Sequence, residues 1–311
     1  FMGLSSGAGV VISQYYGAHR PEKVRDTVHT AMVLTLVLCA AFTALGLALI
    51  PAMLDLMNTP AEVLPESTAY LSIYFSGITG LLIYNMGSGI LRAVGDSRRP
   101  FYFLVVSAVL NTGLDLLFVI RFHLGVAGVA IATVISQYIS AGLIILCLMR
   151  TEGCLQFHPK QLALKPDKVW AILRIGLPAG LQSTVFSISN VLIQSSINSF
   201  GALAMAGSAA ASNLEGFIYT AMNAISQAAL AFVGQNVGGR QYHRIHRITW
   251  ICLSVVFLVG VVMSAAFLAA DQFLLEIYLP DDPAAVEYGI ERMFMVNTVY
   301  FFMGFIDVMV A

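Results

Sequence analysis

The stretch Thr27–Pro51, TVHTAMVLTLVLCAAFTALGLALIP, runs for 25 residues without an Asp, Glu, Lys or Arg. At 1.5 Å of rise per residue, about 20 such residues cross the ~30 Å hydrocarbon core of a bilayer as a helix. Comparable apolar spans recur at 1–16, 68–91, 101–120, 124–149, 169–197, 203–235, 248–270 and 288–311. A membrane barrel would instead show ~10-residue segments of alternating polarity, and the chain contains none. The expected fold is therefore an all-α integral membrane bundle. It has nine helices, of which the outer two read as incomplete, because Phe1–Ser13 is already apolar and Met293–Ala311 stops in mid-span.

Composition agrees. Of 311 residues, 58% are hydrophobic and only 11% charged, against roughly 45–50% and about 25% in an ordinary soluble domain. Mean hydropathy is +0.82. The formal charge of -1, with 16 Lys and Arg dispersed in short clusters, excludes a basic nucleic-acid surface. Cys39, Cys147, Cys154 and Cys252 form neither a CxxC pair nor a disulfide framework and read as packing residues.

Basic residues set the orientation. The connections at 17–26, 92–100, 150–168 and 236–247, with their flanking helix ends, hold 14 of the 16 Lys and Arg, leaving only Arg121 and Arg292 elsewhere. The intervening loops carry Asp55, Glu62, Glu66, Asp271, Glu276, Asp281, Asp282 and Glu287. By the positive-inside rule the basic loops face the cytoplasm.

A shift of 221 residues places Gln14 and Gly17 on Gln235 and Gly238, each pair at a helix end before a basic loop. After a two-residue slip, Pro60-Ala61-Glu62-Val63 meets Pro283-Ala284-Ala285-Val286. Six spans fit in that period, so the two halves enter the membrane in the same sense, as a parallel repeat. The expected division is an N-lobe at 1–150, a cytoplasmic linker at 151–168 and a C-lobe at 169–311.

A carboxylate at mid-bilayer costs roughly 2.5–3.5 kcal/mol on insertion scales, so the few present should face a cavity or a partner. Asp115 has Asn111 one turn before it on the same helix face, with Thr133 on the next helix. Oxygen ligands of this kind suit a hard cation, and a desolvated carboxylate can also carry a proton. The competing reading is interhelical hydrogen bonding. Glu215, Tyr219, Asn223 and Ser226 form a polar row on one span, and Ser183, Ser187, Asn190, Gln194 and Asn198 form another on the span before it. Two facing rows point to a wet cavity, or else to close packing through small residues. Asp307 lies deep in the last span, while Glu291 and Arg292 at its start read as interfacial, snorkelling side chains. The histidines show no metal-site spacing, so the only metal expected is Na⁺. The pairs Gly3/Gly7 and Gly176/Gly180 read as small-xxx-small packing signals. The sequence contains no GxxxxGK[ST], no HExxH and no GxSxG at a strand–helix junction, so an enzyme is not expected.

The segments Ile12–Ala18 (ISQYYGA), Leu91–Asp96 (LRAVGD), Asn111–Phe118 (NTGLDLLF) and Ile175–Pro178 (IGLP) resemble the multidrug and toxic compound extrusion family of transporters, in particular its bacterial DNA-damage-inducible-F-like branch. The resemblance runs along the whole chain and is most specific at Asn111–Phe118. It implies two lobes of six helices, with this chain matching helices two to ten of twelve. In that family an N-lobe acidic cluster binds Na⁺ or H⁺. Its fifth-helix Asn and Asp match Asn111 and Asp115, and its sixth-helix Thr matches Thr133. Some members add a seventh-helix carboxylate, but this chain has no acid between Val169 and Ser199. Glu215 and Asp307 are the available substitutes.

The resemblance implies a monomeric antiporter in a bacterial inner membrane, with no cofactor beyond the coupling Na⁺ or H⁺. It would export organic, cationic and amphiphilic small molecules. Asp115, Asn111 and Thr133 would bind the ion, and Glu215, Tyr219, Asn223, Asn190, Gln194 and Asp307 would line the substrate cavity. A lipid-linked precursor flippase of the same superfold is the alternative. It would call for a strongly cationic cavity, whereas these spans carry acids and almost no Lys or Arg. A passive channel also fits the composition and is separated from an antiporter by uphill transport.

Overall fold

The computed structural model describes residues 1–56, 63–280 and 282–311. Glu62, Asp281 and the Pro60–Glu62 part of the repeat match lie outside the described residues. The helices, in chain order, are α1 (Met2–Gly17), α2 (Pro21–Leu56), α3 (Leu64–Ala93), α4 (Arg98–Leu116), α5 (Gly125–Arg150), α6 (Pro166–Asn198), α7 (Ala202–Gly238), α8 (Tyr242–Ala269), α9 (Asp271–Tyr278), α10 (Pro283–Asn297) and α11 (Phe301–Val310). A π-helical turn at Leu117–Arg121 follows α4, and a 3₁₀ turn occupies Pro159–Gln161. No strand occurs among the described residues.

Each expected span coincides with a helix, and the ninth is broken: α10 and α11 are bent by 47° about Thr298–Tyr300. Six helices are long and apolar enough to cross a membrane by themselves, and the bent pair makes a seventh. At 16 residues α1 is too short for that criterion, and α3 is diluted by Ser, Gly, Tyr and Asn. The acidic stretch at 271–278, expected as loop, is α9. Its Leu275 is fully buried, so a short amphipathic helix covers the end of α7 and α10.

Contacts group the chain into two compact units, Phe1–Gly180 and Leu181–Ala311. In the first, α3 packs against α1, α2 and α5, and Ile12, Val28, Met86, Ile90, Leu91, Ile144 and Leu148 are fully buried. The small-xxx-small signals pack on each other. A methyl group on Gly7 of α1 would stand 2.7 Å from Gly176 N and Ile172 O of α6, and one on Gly3 would strike Gly180 N and Gly176 O. These are backbone atoms that cannot rotate away. Gly7→Val should cost about 1–3 kcal/mol or more, as overpacking does. Gly142→Ala, where a methyl meets nothing within 4 Å, should be neutral or stabilise by roughly 0.5–1 kcal/mol. Thermal unfolding of the two variants in the same detergent gives the comparison.

The stretch after α5 is a docked strap. Leu155 and Phe157 are buried in the core of the first unit. The backbone N–H of His158 donates to His29 Nε2 (3.1 Å), and His29 Nδ1 lies 2.8 Å from Arg25 O. Lys165 pairs with Asp26 at 2.6 Å. Lys168, 3% exposed, reaches Asp167 at 2.9 Å and sits 4.5 Å above the Tyr15 ring. His29 is thus a buried anchor of the strap.

In the second unit α7 packs against α8, α10 and α11. The buried stripes are Leu214, Ile218 and Met222 on α7, Cys252, Val256, Gly260 and Ser264 on α8, and Val286, Gly289, Met293 and Asn297 on α10. Cys39 and Cys252 are buried free thiols, and Cys147 and Cys154 are half-buried free thiols.

Candidate functional site

In the first unit, Ser107 Oγ of α4 donates to Ser136 O of α5 at 2.7 Å, which fixes the register of the two antiparallel helices. Asn111 stands one turn further along α4, and Thr133 almost one turn back along α5, so the register brings them level. Asp115 follows one turn beyond Asn111, at the end of the regular helix, immediately before the π turn Leu117–Arg121. Such turns recur at functional sites because the extra residue re-aims the side chains beside it.

The row Ser107, Asn111, Asp115 thus faces α5. Asp115 Oδ1 and Asn111 Nδ2 are buried with no hydrogen-bond partner among the described residues. Gln137 Oε1, one turn from Thr133 on α5, is in the same condition. By the Ser107–Ser136 register Gln137 lies level with Ser107, two turns from Asp115, and stands apart from the Asn111–Asp115 group. A buried carboxylate oxygen without a donor is costly. With neighbouring amide and hydroxyl oxygens it makes a set suited to a proton or a hard monovalent cation. One carboxylate without His or Cys does not suit a transition metal.

In the second unit the polar row of α7 is used differently from expectation. Arg292, read as a snorkelling residue, turns inward. Its Nε donates to Glu215 Oε1 (3.2 Å), its Nη2 to Oε2 (3.0 Å) and its Nη1 to Ser208 Oγ (2.6 Å). This is a bidentate ion pair between α7 and α10, with the Glu215 side chain 8% exposed. Glu215 is therefore not a bare carboxylate awaiting a cation, because its charge is already matched.

Asp307 differs. Its Oδ2 is buried and has no partner among the described residues, while its backbone O accepts from Ser226 Oγ at 2.8 Å. Asn223 Nδ2 lies 3.5 Å from Tyr219 Oη, and Tyr300 is within electrostatic reach of Glu215, Tyr219, Arg292 and Asp307. Glu215, Tyr219, Asn223 and Asp307 therefore share one neighbourhood, to which Tyr300 and Arg292 belong as well. Asn190 and Gln194 stand on an exposed stretch of α6, where Gln194 Nε2 donates to Asn198 Oδ1 of its own helix at 2.9 Å. No hydrogen bond joins these two to the α7 row among the described residues.

The family model described as MatE matches residues 1–117 and 178–310. Among curated proteins, the chain is 30% identical over 303 residues to "Probable multidrug resistance protein YpnP" of Bacillus subtilis (strain 168), covering 97% of this chain and 67% of that protein. It is 25% identical over 303 residues to "Probable multidrug resistance protein YoeA" of the same organism, covering 95% and 65%. The chain thus spans about two thirds of the length of these relatives. A solved structure described as "Outward-facing conformation of a multidrug resistance MATE family transporter of the MOP superfamily" superposes with a TM-score of 0.86 at 21% identity, covering 99% of this chain and 71% of that one. At that identity the likeness speaks for the fold alone. A family model that matches well over half of the chain, together with a relative 30% identical over 97% of it, places this multi-pass membrane protein in the MatE family.

Proposed function

We propose that the complete protein is a secondary antiporter of the bacterial inner membrane, in which inward Na⁺ or H⁺ drives outward movement of an organic, cationic and amphiphilic compound. The observation that carries this reading is the buried, unpartnered carboxylate oxygen of Asp115 beside Asn111. Binding an ion or proton there removes the cost of the bare charge, and it does so differently in each access state, which is the requirement for driving a conformational equilibrium. The names of the relatives, probable multidrug resistance proteins, are consistent with an organic substrate.

In this reading Asp115, Asn111 and Thr133 bind the coupling ion. Substrate meets Tyr219, Asn223, Asn190 and Gln194, with Asp307 as the negative charge and Tyr219 and Tyr300 as ring faces for a cation. Glu215 contributes through its pair with Arg292. The lobes are 1–150 and 169–311, joined by 151–168, and the loops 17–26, 92–100, 150–168 and 236–247 face the cytoplasm. The protein acts as a monomer, without a cofactor. The flippase alternative has nothing in its favour among the relatives above.

The test is uptake of a fluorescent organic cation into proteoliposomes of the full-length protein, with an imposed Na⁺ or H⁺ gradient. Accumulation driven by one gradient and absent with the other names the ion. Equilibration without accumulation under both gradients contradicts the antiport reading.

A further inference from the structure

Sharp helix bends almost always have an identifiable cause: Pro, a Gly or Ser pair, a π-bulge, or a side chain or water inserted into the i→i−4 ladder. The 47° bend between α10 and α11 has no Pro, and no Gly lies between Gly289 and Gly304. The ladder itself is loosened there. Thr298 Oγ1 donates to Phe294 O at 2.6 Å, leaving the Thr298 N–H at 3.4 Å from the same oxygen. Val299 N and Tyr300 N then bond only to Val296 O and Asn297 O, three residues back.

Asn297 stands at the break. It is 2% exposed, and neither its amide oxygen nor its amide nitrogen has a hydrogen-bond partner among the described residues. Ser264 of α8 is 6% exposed, and its Oγ likewise has no partner among the described residues. Helix register brings the two level. A methyl on Gly260 would lie 3.1 Å from Phe301 Cβ, and one on Gly304 would lie 2.6 Å from Val256 Cγ2, so α8 and α11 run antiparallel. One turn on from Gly260 is Ser264, and one turn back from Phe301 is Asn297. The Arg292–Glu215 pair, one turn and more before Asn297, satisfies itself and offers these groups no partner among the described residues.

The chemistry of these groups selects the occupant. The amide offers two donors and an acceptor, and the hydroxyl offers one of each. A bare cation would satisfy the oxygens and leave the amide N–H groups unmet. Water both donates and accepts, and buried water takes such otherwise unpaired groups. We propose that Asn297 and Ser264 hold ordered water at the α10–α11 break, so that the break is a built, enclosed hydration site between α8 and α10. This stands independently of the antiport reading.

X-ray radiolysis tests it, because hydroxyl radicals formed at a bound water oxidise the sulfur beside it. Met293, fully buried and one turn before Asn297, is the reporter, and Met86, fully buried in an apolar core, is the control. In the full-length protein in nanodiscs, Met293 should oxidise several-fold faster than Met86. Ser264→Ala should reduce that excess, and Asn297→Leu should abolish it and lower the melting temperature. If Met293 oxidises no faster than Met86, the site is dry and the proposal falls. It falls too if both variants leave the excess unchanged, if Na⁺ alone suppresses it in the wild type, or if Asn297→Leu raises the melting temperature, as removing a dry orphaned amide would. Should Asn297→Leu fail to fold, Ser264→Ala, which removes one hydroxyl, decides the matter.

Discussion

Arg292→Leu should lower the folding stability of the full-length protein by about 3–5 kcal/mol, the usual result of removing one partner from a buried ion pair. The variant leaves Glu215 with its side chain 8% exposed and both oxygens stripped of their guanidinium donors. Ser208 loses its 2.6 Å contact as well. Inside a membrane the stranded carboxylate cannot be hydrated, and it must take up a proton or drag in water. Restoring neutrality should recover most of the loss. Glu215→Leu in the Arg292→Leu background should lie well above the single variant and close to wild type, because two apolar side chains of similar bulk replace a pair whose desolvation roughly offsets its attraction. The readout is unfolding in nanodiscs for both single variants and the double. A single Arg292→Leu variant as stable as wild type would mean that the pair does not form in the bilayer.

The pair also shows where the sequence was legible and where it was not. The spans were readable because a bilayer demands about 20 apolar residues per helix, a local property that each helix satisfies by itself. The Gly3/Gly7 and Gly176/Gly180 signals were readable as packing for the same local reason, although not as partners of one another. The Glu215–Arg292 contact spans 77 positions, and periodicity within one helix cannot reveal a partner on another. A signal existed nonetheless, since Arg292 is one of only two basic residues outside the four basic connections, and an intramembrane charge calls for a counter-charge. The anchoring role of His29 was not readable because it depends on the strap that donates the His158 N–H, a tertiary event. The break at Thr298–Tyr300 carries no Pro or Gly and was not visible at all. In the first unit the Asn111–Asp115 spacing was local and so was legible, whereas the level of Thr133 with Asn111 follows only from the Ser107–Ser136 contact that sets the register.

Asp115→Asn should lower gradient-driven substrate transport by roughly tenfold or more, the change that ~1.4 kcal/mol of lost ion-binding energy produces. The substitution keeps size and shape while removing the negative charge, so the helix register held by Ser107 and Ser136 persists and folding should be little changed. Asn111→Leu and Thr133→Val each remove a neutral oxygen and should cost less. Asp307→Asn separates the units, because a loss of substrate affinity with the ion dependence intact assigns Asp307 to the substrate, whereas a lost ion dependence assigns it to coupling.

The central claim is that ion binding at Asp115 drives substrate against its own gradient, and the most direct measurement is accumulation of a fluorescent organic cation in proteoliposomes of wild type and Asp115→Asn under the same imposed ion gradient. The account predicts accumulation above equilibrium for the wild type and none for the variant, with substrate binding retained in both. Equal accumulation by the two proteins would contradict it.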